Sequence, residues 1–240
     1  MHIETFETHY EFWLNSNGSK PLVMNQRVIS DISLSIMGLS PKKPLFFVGQ
    51  HGIAGADIKE MVDMDREEAY NYSLLGSKMV ECIASFPSLV IGFFDRYLLG
   101  GGLELALGCD LLIATKQCKI GFPEVTLGII PGFLGIDNLG IKANPISLEL
   151  VYLGKVKCAE ECLHYGLFHQ IVDNWESVEE VRNETIQEIQ RCSLHSILSI
   201  KKYYLSNIPR NNSIESKSRI FSELFEKEDQ KNKMNKFIKK

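Results

Sequence analysis

Ser88-Leu89-Val90-Ile91-Gly92-Phe93-Phe94, then Gly100-Gly101-Gly102-Leu103-Glu104-Leu105-Ala106-Leu107-Gly108-Cys109, then Asp110-Leu111-Leu112-Ile113-Ala114 reads as strand, tight glycine connection, short helix and returning strand. The same plan stands once upstream. Pro44-Leu45-Phe46-Phe47-Val48 is a continuous apolar run of the kind that forms a strand buried on both faces. His51-Gly52-Ile53-Ala54-Gly55-Ala56-Asp57 follows as a loop of small residues, and a helix is expected from about Ile58. Two successive strand, small-residue turn and helix units argue for an α/β protein with its crossovers on one side of a sheet.

Outward from these units the pattern stays legible. Tyr10 to Leu14 is predicted as a strand and Asn15 to Ser19 as a turn around Gly18. Asn25 caps a predicted helix carrying Val28, Ile29, Ile32, Leu34, Ile36 and Met37. Arg66 to Ala84 is a longer amphipathic helix, and Asn144-Pro145 opens another with a cap and a proline at its first position. Ala159 to Tyr165 is expected to be helical and to end at Gly166, with a short strand over Leu167 to Val172. Val178 to Cys192, Leu194 to Leu205 and Ile214 to Phe237 all read as helix. No low-complexity linker divides the chain. One functional domain is expected, with a core over 1–176 and a helical region over 177–240 serving as an oligomerisation or lid element.

The 240 residues are 45% hydrophobic and 23% charged, which is ordinary for a globular protein. A net charge of −4 offers no basic footprint for nucleic acid. Lys231 to Lys240 is locally basic and reads either as a solvated helix face or as an electrostatic handle for a phosphorylated ligand. The six cysteines, Cys82, Cys109, Cys118, Cys158, Cys162 and Cys192, lack the paired spacing of a disulfide framework or zinc site. They read as buried free thiols, and no metal is expected. The polar, acidic Met1 to Glu11 does not resemble a signal peptide, and no apolar run reaches the ~18 residues of a membrane span. The expectation is a cytoplasmic protein with no membrane partner.

Two acids stand out. Glu104 lies among Leu103, Leu105, Ala106 and Leu107, and Glu124 follows Pro123 between Phe122 and Val125. A carboxylate in apolar company needs a partner or a task, because its burial alone is costly. Taken singly each reads as structural; taken with the glycine turns, each reads as catalytic. The glycine triplet does not satisfy the dinucleotide-binding pattern, since Leu105 occupies its last position. Gly101 instead falls at a helix N-terminus, where free N–H groups and the helix dipole attract negative charge. A second N–H from the Ala54-Gly55 loop could face it. Two such donors would make an oxyanion hole, each worth roughly 3–4 kcal/mol in the transition state.

Ala54-Gly55-Ala56-Asp57-Ile58-Lys59-Glu60-Met61, Gly100 to Asp110 and Gly121 to Gly132 (GFPEVTLGIIPG) resemble, in order and separation, the crotonase superfamily of enoyl-CoA hydratases and isomerases. Residues 44 to 172 carry most of the resemblance, with looser likeness at the ends, including Asp229 to Lys240. It implies a spiral of ββα units with a helical C-terminal region, acyl-CoA or acyl-carrier thioester substrates, and homotrimers paired into hexamers. The Ala54 and Gly101 N–H groups would bind the thioester oxygen. Glu104 would activate water for attack at Cβ and Glu124 would exchange the proton at Cα. Lys20, Ala56, Asp57, Ile58, Phe133, Phe237 and Lys240 would contact the substrate. No cofactor is implied beyond the CoA carried by the substrate itself.

The chain departs from the family pattern at two places. Phe133 to Leu139 replaces a Gly-Gly-Thr-Gln-Arg-Leu-like stretch that helps shape the acyl pocket. Ser19 to Asn25 is a reduced form of the usual N-terminal segment. The leading expectation is reversible hydration of a 2-enoyl thioester. A double-bond isomerase, a biosynthetic polyketide-type dehydratase and a non-catalytic binding subunit stand as alternatives.

Overall fold

A computed structural model describes residues 1–14, 19–142, 146–207 and 214–239. In chain order the elements are β1 (His2–Thr5), β2 (Tyr10–Trp13), β3 (Leu22–Met24), α1 (Gln26–Met37), β4 (Leu45–Gly49), β5 (Ile53–Ala56), α2 (Ile58–Met61) and α3 (Arg66–Ala84). There follow β6 (Val90–Phe94), β7 (Tyr97–Leu99), α4 (Gly101–Leu107), β8 (Leu111–Thr115), β9 (Lys119–Gly121), a 3-10 turn over Pro123–Leu127, α5 (Gly135–Lys142) and α6 (Ile146–Tyr152). The chain ends through β10 (Val156–Cys158), α7 (Ala159–Leu163), β11 (Gln170–Val172), α8 (Trp175–Arg191), α9 (Leu194–Asn207), α10 (Ile214–Glu223), a 3-10 turn over Leu224–Glu226, and α11 (Glu228–Ile238).

The strands divide between two sheets, ordered β1-β2-β4-β6-β8-β11 and β10-β9-β7-β5-β3. The outer pairs β1/β2 and β10/β9 run antiparallel and the other pairings are parallel. Each repeat places one strand in each sheet before its helix, so the chain climbs as a spiral of ββα units. The central strands β4, β6 and β8 of the larger sheet are buried on both faces, as the unbroken apolar runs predict. Leu45, Phe47, Val90, Phe94 and Leu112 point to the main core shared with the second sheet. Phe46, Ile91, Phe93 and Ile113 point the other way, where Val178 and Val181 of α8 cover them.

Local chemistry sets the boundaries. Asn25 caps α1 by accepting the Val28 N–H, and Asp65 with Glu68 forms a reciprocal capping box at the start of α3. Several sequence expectations are corrected. The single expected sheet is two, because the segment read as a loop over His51–Asp57 contains β5 and pairs with β3 and β7. Leu34 and Met37 are exposed, so the buried face of α1 is Ile29, Ile32 and Ile36. The helix expected over Ile214 to Phe237 breaks at the 3-10 turn into two. The expected turn around Gly18 and the Asn144-Pro145 helix start lie outside the described residues, as does Lys240.

Candidate active site

The site forms where the ends of β5 and β7 meet the start of α4. Gly55 sits at φ +90°, and a Cβ there would lie 2.6 Å from the Leu99 carbonyl oxygen and 3.4 Å from the Gly101 nitrogen. Only glycine lets the Ala54-Gly55 backbone approach that closely. Gly100 precedes α4 at φ +51°, and Gly101 is the helix's first residue, so its N–H has no acceptor within the helix.

Glu104 is on the first turn of α4, a helix buried along its whole length. Its Oε1 accepts two backbone hydrogen bonds, from the Phe133 N–H at 2.7 Å and the Gly135 N–H at 2.6 Å. Glu124 is on the Pro123–Leu127 turn, started by Pro123 and closed by Gly128 at φ +77°. Its Oε1 crowds Gly100, where a Cβ would lie only 2.6 Å away. Its Oε2 is buried and finds no hydrogen-bond partner. An unsatisfied buried carboxylate oxygen is rare enough to demand a reason.

Burial pushes both carboxyls upward, but unequally. For Glu104, desolvation outweighs the opposing pull of the Lys217 charge and the backbone donors of Gly135, Phe133 and Gly132. Glu124 lacks such a set, and burial together with the Glu104 charge holds its carboxyl well above the usual range. The two groups thus titrate as a pair, with the proton resting preferentially on Glu124.

A cavity of about 500 Å³ opens beside them, walled by Gly100, Glu124 and Leu127 within and by Ala54, Asp57, Lys59 and Phe237 toward the surface. Ala56, Ile58 and Ile238 also line it. Glu104 stands behind the wall rather than in it. Phe133 is not in the wall either; its ring is buried against Tyr72 with centroids 5.4 Å apart, and it presses on Gly76 and Gly101. Lys20 is exposed in the turn before β3 and does not line the cavity. Among the described residues, no group of three or more His, Cys, Asp or Glu side chains is placed to hold a metal ion. Likewise, no helix is long and apolar enough to cross a membrane.

The profile of a family described as Enoyl-CoA hydratase/isomerase matches residues 50–240. The chain belongs to that family. Among the family's curated proteins, the short-chain-enoyl-CoA hydratase of Clostridium acetobutylicum is 32% identical over 192 residues, which is 78% of this chain and 73% of the relative. The crotonyl-CoA hydratase of Syntrophomonas wolfei is 34% identical over 192 residues, with the same coverage. Solved structures share the fold: the enoyl-CoA hydratase from Bacillus halodurans has a TM-score of 0.84 at 18% identity, covering 98% of both chains. Methylmalonyl-CoA decarboxylase in complex with 2-nitronate-propionyl-CoA also scores 0.84, at 22% identity over 99% of this chain and 95% of that one.

Reading the sequence alone missed the groups that support this candidate site from behind. The Tyr72 hydroxyl donates to the Met24 carbonyl at 2.7 Å, and Ser73 and Ser77 donate to the Gly132 carbonyl at 2.8 and 3.0 Å. Lys217 is buried on α10 and pairs with Asp137. Its signal was present: it lies four residues before Phe221, on the face of α10 that turns inward.

Proposed function

We propose that the protein reversibly hydrates short 2-enoyl thioesters of CoA. The unpaired, buried Glu124 Oε2, in a residue that lines the same cavity as Ala54 and Gly100, is the observation that carries this reading. The thioester carbonyl would sit on the Ala54 and Gly101 N–H groups, with its pantetheine arm leaving past Asp57, Lys59 and Phe237 at the surface side of the cavity. Its Cα and Cβ then extend inward, toward Glu124 and Glu104. Glu104, held through Oε1, keeps Oε2 to take a proton from water as the oxygen bonds to Cβ. The enolate charge develops on the thioester oxygen between the two N–H groups, and protonated Glu124 delivers its proton to Cα. Dehydration reverses each step. No cofactor enters, since CoA arrives as part of the substrate.

Behind the cavity wall the buried side chains of Met24, Phe122 and Phe133 crowd Gly101 and Gly135 and leave little room for the acyl end to extend. This supports a short acyl group, in keeping with the names of the two curated relatives. A cytoplasmic location and a homotrimer or homohexamer belong to the same proposal. The exposed Leu148, Tyr152 and Leu153 offer apolar surface for such an assembly, which light scattering on a sizing column would measure.

The deciding assay follows the ultraviolet absorbance of the conjugated thioester with crotonyl-CoA and longer acyl-CoAs. The native protein is expected to bleach crotonyl-CoA. Glu104→Ala and Glu124→Ala should each slow turnover by roughly a hundred- to ten-thousand-fold with the fold intact by circular dichroism. One observation favours a second reading: Glu104 stands behind the cavity wall with Oε1 already satisfied. In a double-bond isomerase Glu124 alone would move the proton, and Glu104→Ala would then keep full activity.

A further inference from the structure

Lys217 carries a charge on the inward face of α10 and is 8% exposed. A lysine so placed requires a partner, and it has one in Asp137 on the first turn of α5. Asp137 stands two residues beyond Gly135, one of the two donors on Glu104 Oε1. The same stretch is gripped at its other end. Phe221 of α10 packs so closely on Gly132 that a Cβ there would lie 3.0 Å from its ring. Ser73 of α3 donates to the Gly132 carbonyl and lies 3.1 Å from the Ser218 hydroxyl of α10. Residues 132–137 are therefore clamped between α3 and α10, with two of their N–H groups turned onto the carboxylate. Their own backbone preference does not hold them there: Leu134 sits at φ +77°, a conformation that leucine disfavours.

We propose that Lys217, acting through Asp137, is a positioning residue that seats the Phe133 and Gly135 donors on Glu104 and supplies the positive charge facing that carboxylate. The role assigned to it, keeping Glu104 the base and Glu124 the acid, rests on the hydration reading. Four charged or titratable groups bear on Glu104: Lys217 from α10, Asp137 from α5, Glu124 from the 3-10 turn and Tyr72 from α3. Of these only Lys217 is a cation. Its loss would leave Glu104 with burial and the Glu124 repulsion, both of which favour the protonated form.

The test compares native protein, Lys217→Met and Lys217→Arg by two readouts. One is the titration of the Glu104 carboxyl by carbon-13 NMR in glutamate-labelled protein, assigned by its disappearance in Glu104→Gln. The other is the acid limb of kcat against pH for crotonyl-CoA hydration. Lys217→Met should raise both midpoints by about one pH unit, and Lys217→Arg should restore both. The double variant Asp137→Asn/Lys217→Met leaves no unpaired buried charge; it guards against a variant that fails to fold and should show the same upward shift. If Lys217→Met lowers the melting temperature but leaves both midpoints at the native value, Lys217 only holds the fold and the proposal is overturned. Should the native protein hydrate no enoyl thioester, the hydration reading falls on its own, and the NMR midpoint still decides the assignment of Lys217.

Discussion

Glu124 holds a protonated carboxyl in the folded chain over a range where an unfolded glutamate has already ionised. The sign of its effect on stability follows directly. Below the unfolded value, about 4.3, both states bind the proton and nothing is lost. As pH rises the unfolded chain releases its proton first, so stability falls until the raised native value is passed. Glu124→Gln has no proton to release and escapes this loss. Its melting temperature should therefore gain on that of the native protein as pH rises above about 4. A gap that stays flat across the range would show that Glu124 is not held protonated by the fold. Both acids were legible in the sequence because polar residues in an apolar run are conspicuous. Which of them keeps the proton was not, since that depends on donors from Phe133 and Gly135, some 30 residues away in the chain.

At the level of elements, α3 and the segment just before α5 lock together through one glycine. A Cβ on Gly76 would fall 2.1 Å from the Phe133 ring, so the ring lies flush on the backbone of α3. Gly76→Ala is expected to cost about 1–3 kcal/mol by overpacking, and Phe133→Ala about 3–5 kcal/mol by cavity formation. Because the new methyl enters the space the ring vacates, the double variant should lose clearly less than the sum of the two. Urea titration of the four proteins measures the coupling, and additive losses would contradict the packing described. The strands β2, β4, β6 and β8 could be read from sequence, since each is a run dominated by large apolar and aromatic residues, whereas β5, as long as β2, is Ile-Ala-Gly-Ala and reads as a loop. Strands β7 and β9 could not be read either. Tyr97–Leu99 and Lys119–Gly121 are three residues each, too short for alternation to appear, and the second sheet is built largely of such pieces. The broken C-terminal helix escaped for a related reason: Leu224 to Lys227 has no glycine or proline to mark the break.

Across the whole molecule, the helices that follow β11 share a device. α8, α9 and α10 each reach inward with one largely buried cation: Arg182 toward Glu11, Lys201 toward Asp110, and Lys217 toward Asp137. Arg182 lies 3.2 Å from Glu11 as an ion pair, though its Nε lacks hydrogen-bond alignment. His9 stands 3.2 Å from the same carboxylate oxygen. Burial of Glu11 works against ionisation, but the hydrogen bond from His9 and the charge of Arg182 prevail and hold its carboxyl below the usual value. A depressed carboxyl contributes stability above its unfolded value that is lost as pH falls through its native one, so acid should loosen this contact. Arg182→Met would leave Glu11 buried beside a poorer partner and is expected to cost roughly 3–5 kcal/mol at neutral pH. Chemical denaturation checks this, and a loss under about 1 kcal/mol would place the pair in the class of weak surface bridges.

The mostly parallel pairing of both sheets carries a consequence for how the protein comes into being. A parallel neighbour cannot be reached through a hairpin, so each such ladder closes only after a crossover of many residues has been ordered. The elements that carry Ala54, Gly101, Glu104, Glu124 and Lys217 therefore come together through contacts remote in sequence, which slow the folding search. A nascent chain completes this candidate site late, once α10 has been made and has docked. Fragments ending before it would expose Phe221's vacant seat at Gly132 to whatever apolar surface is near.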